Sequence, residues 1–126
     1  MKVLSIVESA YRATVEEQDD TILWINTAIK GAGADVTVLL KGNAVNYAVK
    51  AQDASGLVIG GKAQTKPPQL ANDVERLIER GVAVHVVRDD VVERGIESSE
   101  LIDGLLLCSR NEIGELVTSF DQVWHW

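Results

Sequence analysis

Gly81-Val82-Ala83-Val84-His85-Val86-Val87, running straight into Arg88-Asp89-Asp90, is the stretch on which the fold turns. Valine dominates it, and β-branched side chains favour extended backbone because their χ1 is stiff against a helix's preceding turn. Just upstream, Pro67-Pro68 opens a segment in which Leu70, Val74, Leu77 and Ile78 share one helical face before Gly81 ends it. A helix feeding a near-continuous apolar strand is the unit from which parallel sheets are built.

Working outward, apolar runs of the same kind recur at 2–7, 35–40, 57–59, 104–107 and 122–126, and with 82–87 they read as six short strands. Helical spacing fills most of the gaps. Thr14 and Glu17 make a capping box before Val15, Ile22, Ile25 and Ile29, which fall in one stripe that Gly31 and Gly33 terminate. Asn43 is placed to cap a shorter helix through Val49. The stretch 51–66, with Gly56, Gly60 and Gly61 around three apolar residues, reads as a brief strand or a long loop. The expected architecture is α/β: a three-layer α/β/α sandwich on a mainly parallel sheet of five or six strands, one domain over residues 1–126.

Composition narrows the function classes. The 126 residues, 46% apolar and 25% charged, fit one ordinary core without metal or disulfide staples. The single cysteine has no partner in the chain, which points to a reducing, cytoplasmic setting. Nineteen acidic against 12 basic residues give a net charge of −7, which repels phosphate backbones and anionic membranes, so neither nucleic acid nor lipid is an expected partner. The opening apolar run is too short for a signal peptide or a bilayer span.

In open α/β sheets ligands bind beyond the carboxyl ends of the strands. The residues that follow the runs are Glu8, Ser9, Tyr11 and Arg12; Lys41, Gly42 and Asn43; Gly60, Gly61 and Lys62; Arg88, Asp89 and Asp90; and Cys108. Of these, Glu8, Ser9, Tyr11, Arg12, Lys41, Asn43, Arg88 and Asp89 are the candidate ligand-binding set, and Arg12, Lys41 and Lys62 would attract a small anion or nucleotide. Glu8, Asp89 and Asp90 resemble the Mg²⁺ carboxylates of a receiver domain, but that site needs an acidic pair after the first strand, and adjacent aspartates opening a helix balance its dipole. No metal is expected. The 8–14 loop has no glycine to bring backbone close to a flavin phosphate, and Gly60-Gly61-Lys62 lacks P-loop spacing, so no cofactor is expected either. His85, inside a strand, and His125, between the terminal tryptophans, have no visible triad partner.

Cys108 is the candidate catalytic residue because it carries the one thiol. Ser109-Arg110-Asn111-Glu112 behind it is a second capping-box pattern. Two readings follow: the helix start and Arg110 favour thiolate, or Cys108 packs on Ile113 as a small hydrophobe while Glu112 opposes ionisation. The tryptophans suggest assembly. Trp24 falls about 160° from the first helix's apolar stripe, facing solvent. Trp124 and Trp126 share one face of the last strand, either at a subunit contact or under the domain's own helices.

Residues 81–87 followed by Arg94-Gly95-Ile96 resemble the strand and short helix of the DsrE/DsrF-like proteins, small subunits of sulfur-relay systems that include DsrEFH and TusBCD. The opening strand and long first helix, the strand at 35–40 and the Pro-started helix fit the same layout, while Leu116-Val117 and Val123-Trp124-His125-Trp126 are similar to the DsrH/TusB branch. The resemblance implies a three-layer α/β domain, homotrimers or homohexamers, and a part in cytoplasmic sulfur trafficking with other relay proteins, where a persulfide passes between cysteines. In persulfide carriers of the family a cysteine ends the fourth strand, and the matching position here is Val87. The resemblance therefore implies an accessory or partner, or a sulfurtransferase that uses Cys108 instead. A small-anion or nucleotide binding module stands as a third reading.

Overall fold

A computed structural model of the chain describes residues 1–11 and 20–126. Five strands form an all-parallel sheet: β1 (Lys2–Val7), β2 (Asp35–Leu40), β5 (Ala83–Val87), β6 (Leu106–Cys108) and β7 (Gln122–His125), in the order β6-β5-β2-β1-β7. The chain steps outward from β1 to β6, each strand beside the last, and then returns across the sheet to place β7 on the far side of β1.

The outward crossovers all use one face. There α1 (Thr21–Gly31), the 3₁₀ helix Gly42–Ala48, α2 (Leu70–Glu79) and α3 (Arg88–Glu93) cover Val36, Val38, Leu40, Val84 and Val86 in the larger core. The return crossover carries α4 (Ile113–Thr118) over the opposite face, where Leu4, Ile6, Leu39, Val87 and Cys108 meet Ile113, Leu116, Val117 and Phe120. The expected α/β fold with helices flanking a parallel sheet is what the chain adopts. None of the described helices is long and apolar enough to cross a membrane.

Residues 57–59 depart from expectation. Val58–Ile59 (β3) pairs antiparallel with Lys62–Ala63 (β4) in a separate hairpin, so the sheet has five strands rather than six. Gly60 and Gly61 both have positive φ, +56° and +75°, the backbone of a two-residue type I′ turn, and that turn chemistry overrides the apolar run. The segment after β2 is a 3₁₀ helix whose N-cap is Lys41; Asn43 lies inside it and accepts from Arg94 Nη2 at 2.8 Å instead of capping. Around α2 the sequence reading holds, with Leu70, Val74 and Leu77 buried and Gly81 at φ +78° just past its end.

α1 is turned from the expected stripe. The Thr14 and Glu17 capping box and Val15 lie outside the described residues. Asp20 caps the helix at Thr21, its carboxylate accepting from the amides of Ile22 and Leu23 at 3.0 Å. The buried positions are Ile22, Leu23, Asn26 and Thr27, while Ile25 sits at the margin. Two polar residues tolerate the core because each donates to its own helix: Asn26 to the Ile22 carbonyl at 2.8 Å, Thr27 to that of Leu23 at 3.1 Å. Asp20 also accepts from the Tyr47 hydroxyl at 2.7 Å, and its amide donates to Asp73 at 2.9 Å, which ties α1 to the 3₁₀ helix and to α2.

Candidate functional site

The carboxyl ends of the five strands gather two charged hubs. The first is Glu8, one residue past β1. Its carboxylate accepts from Lys41, just past β2, and pairs with His125 Nε2 on β7 at 2.7 Å. Hydrogen bonds from Lys41 and from His125 hold the Glu8 carboxyl below the usual carboxylate range against the small opposing effect of burial.

Asp90, in the first turn of α3, is the second hub. One carboxylate oxygen accepts from the Gly42 amide at 2.8 Å and the other from Arg110 Nη2 at 2.7 Å. Burial pushes the Asp90 carboxyl up, but the Gly42 amide and the Arg110 guanidinium outweigh it and the net shift is downward. Arg110 is shared with Glu93 at 2.9 Å, and its amide donates to Asp89 at 2.8 Å. The two hubs meet at Gly42. Its φ is +57°, and a Cβ there would stand 3.3 Å from Glu8 Cγ, so glycine brings this turn against Glu8 and its amide onto Asp90 without strain or crowding.

The β5–β6 boundary has a topological meaning. The chain leaves β5 towards the face of α3 and leaves β6 towards the face of α4, and such divergence opens the crevice where α/β proteins bind ligands. Val87 and Cys108 stand there as register partners at the two strand ends. Val87 is fully buried; Cys108 is 8% exposed and packs with Leu4, Ile6 and Leu39. Burial, Glu112 and Asp89 push its thiol upward, with Arg88 opposing. Arg110, expected beside the sulfur, is engaged by Asp90 and Glu93. The second capping box is present: Ser109 caps Arg110–Glu112, and Glu112 accepts the Ser109 amide at 2.6 Å.

Cys108 also borders a groove of about 560 Å³ between β6 and α4, which His85, Leu106 and Leu116 line. His85 faces it from β5, and burial holds its imidazole below the ordinary range. A smaller apolar hollow of about 350 Å³ lies on the other face at the β7 edge, between Ile25 and Ile29 of α1 and Trp124 and Trp126. There Trp126 donates its indole N–H to Ser5 at 3.1 Å, while Trp24 is 52% exposed.

The structure thus brings Glu8, Lys41, Asn43, Asp89 and Cys108 to one rim. Ser9 belongs to it too, its amide approaching the Trp126 carbonyl at 3.4 Å. Arg88 is exposed at the start of α3. Tyr11 stands off to the side at φ +60°, its amide on the Tyr47 hydroxyl and its own hydroxyl on Gln52 at 3.1 Å. Arg12 lies outside the described residues. Gly60, Gly61 and Lys62 follow no strand of the sheet, since they form the hairpin turn and its second strand. Sequence reasoning missed the joining role of Gly42 and the hub role of Asp90; the signal was a glycine directly behind a strand end. It also left His125 without a partner. Among the described residues no group of three His, Cys, Asp or Glu is placed to hold a metal ion.

Comparison with solved structures gives the same fold in three proteins. The YchN protein of E. coli aligns over 100% of both chains at a TM-score of 0.75 and 20% identity. A conserved protein of unknown function from Bacteroides thetaiotaomicron aligns over 99% of this chain and 95% of its own at 0.69 and 14%. A protein of unknown function from Methanobacterium thermoautotrophicum aligns over 98% and 97% at 0.61 and 12%. No curated protein sequence matches the chain. The DsrE family profile, described as DsrE/DsrF-like, matches residues 1–125, and proteins of this kind typically oligomerise. Strand order, helix placement and a sequence match over nearly the whole length agree: the chain belongs to the DsrE/DsrF-like family.

Proposed function

We propose that this chain is a single DsrE-like domain that works in the cytoplasm as an oligomeric accessory or partner in sulfur relay, without itself carrying the sulfur. Val87 carries the reading. At the strand end where the resemblance implies a persulfide cysteine, a fully buried valine stands without a nucleophile. The neighbouring charges support a structural rather than a ligand-binding rim, because Glu8 is engaged by Lys41 and His125, and Asp90 by Arg110 and Gly42.

One observation favours the second reading, in which Cys108 is the persulfide carrier. Its register partner is Val87, so the sulfur stands one strand away from the family position and at the same level in the sheet. Against it, a thiol whose pKa is raised holds little thiolate at neutral pH, and thiolate is the nucleophile. The anion-binding reading has less to rest on: Lys41 is paired and Lys62 sits on the hairpin.

Intact-mass measurement after incubation with a small persulfide donor decides between the first two. The expected result is an unmodified wild-type mass, identical to that of Cys108→Ser. Sulfur added to the wild type and absent from Cys108→Ser would overturn the accessory role and install Cys108 as the carrier.

A further inference from the structure

The β3–β4 hairpin is exposed along its whole length: every residue from 55 to 63 faces solvent. Val58 is 62% and Ile59 61% exposed, with Leu57 beside them. A hairpin of two residue pairs is marginal in water by itself, and contiguous exposed apolar groups mark an interaction surface. This arm presents branched apolar side chains at its first strand and one cation, Lys62, directly across from Ile59.

Elsewhere on the same chain lies a surface of opposite character. The groove between β6 and α4, about 560 Å³, exists because α4 is only six residues long and leaves part of its sheet face uncovered. Leu106, 47% exposed, and Leu116 make it apolar, and Glu112 and Glu115 put two carboxylates on its border. The hairpin does not fill its own chain's groove, since both are open. Two copies of a chain with net charge −7 repel on average, so a contact between them is favoured where a cation meets carboxylates and apolar groups meet apolar groups.

We propose that the β3–β4 hairpin of one chain docks in the β6–α4 groove of a second copy through the face that Ile59 shares with Lys62, with Ile59 and the adjoining Leu57 against Leu106 and Leu116 and with Lys62 against Glu112 and Glu115. The contact is head-to-tail: hairpin and groove are different patches, each chain offers one of each, and such contacts form a ring when the rotation between copies closes. The inference rests on the oligomeric part of the function proposed above and names the surface that builds the oligomer. Cys108 and His85, which border the groove, are then covered by the neighbouring copy.

Sedimentation velocity at micromolar concentration tests it, with circular dichroism and thermal melts to confirm folding. The wild type is expected to be a closed oligomer. Val58→Asp with Ile59→Asp, which touches only exposed positions, is expected to give a folded monomer. Lys62→Glu is expected to weaken assembly at least tenfold, and Glu115→Lys combined with it to restore assembly. The decisive arm mixes the hairpin double variant, whose groove is intact, with Leu106→Glu, whose hairpin is intact: each keeps one patch, so the mixture yields one-to-one dimers that neither forms alone. Should Leu106→Glu fail to fold, Glu115→Lys takes its place in the mixture. A wild-type oligomer that survives both the hairpin and the groove variants overturns the docking surface and leaves the oligomeric reading standing; a monomeric wild type overturns both.

Discussion

Gly42 shows how much a single position decides. Its left-handed backbone, φ +57°, lets the chain leave β2 with the Lys41 side chain on Glu8 and the Gly42 amide on Asp90. Left-handed backbone costs an ordinary residue about 1–2 kcal/mol, and at Gly42 a methyl also meets Glu8 Cγ at 3.3 Å. Gly95 is the natural control, because its φ is +67° and a Cβ there would meet nothing within 4 Å. Gly42→Ala is therefore expected to lower unfolding free energy in urea by more than Gly95→Ala does, and equal losses would show that crowding against Glu8 contributes nothing. The sequence displayed a glycine and an asparagine behind a strand. It could not display that Asp90, 48 residues further on, would supply the acceptor, because that meeting depends on β2 and β5 being neighbours. Cys108 was legible in the same partial way: its position before a capping box was readable, whereas the burial that pushes its thiol up follows from α4 crossing the sheet.

At the scale of elements, what was legible is what local chemistry controls. The five sheet strands and α2 follow from short apolar runs, β-branched in β1, β2 and β5 and leucine-rich in β6, and from a proline start and a glycine stop. Residues 57–59 were misread as a sheet strand because an apolar run of that length does not say what it pairs with, and the Gly60-Gly61 turn folds it back on its immediate neighbour. α1 was misread in rotation because hydrophobicity alone sends Ile25 inward, while the helix buries Asn26 and Thr27 by bonding them to its own carbonyls. What holds that rotation is Asp20, at once the cap of α1 and the acceptor of the buried Tyr47 hydroxyl. Asp20→Ala removes both, an expected loss of about 2–3 kcal/mol from the cap and the hydrogen bond together. Tyr47→Phe keeps the cap but takes the hydroxyl from both Asp20 and the Tyr11 amide, at about 1 kcal/mol for each hydrogen bond. Asp20→Asn retains a side-chain oxygen for the cap, so a loss of unfolding free energy in urea as large as that of Asp20→Ala would mean that the cap carries no weight.

Across the whole molecule the two faces of the sheet differ in cover. Among the described residues four helical segments crowd one face and α4 spans part of the other, and along the carboxyl rim the strands are joined by charge rather than by packing. Glu8 links β1, β2 and β7, and Asp90 with Arg110 links the exits of β2, β5 and β6, so these two carboxylates fasten every strand of the sheet at one end. Both are held below the usual carboxylate range in the folded chain. A carboxyl with a depressed folded value binds fewer protons folded than unfolded, so its stabilisation is complete above the unfolded value, about 4, and is lost as pH falls towards the folded one. The melting temperature should accordingly be insensitive to pH between 6 and 8 as far as these groups are concerned, and should drop on acidification below about 5. Glu8→Gln and Asp90→Asn keep similar shapes but do not ionise: each variant should melt lower at neutral pH and lose part of the acid slope, and the double variant should lose more of it than either. If the double variant's melting temperature falls with acid as steeply as that of the wild type, the rim does not fasten the strands electrostatically, and stability on that side of the molecule must come from the buried apolar faces alone.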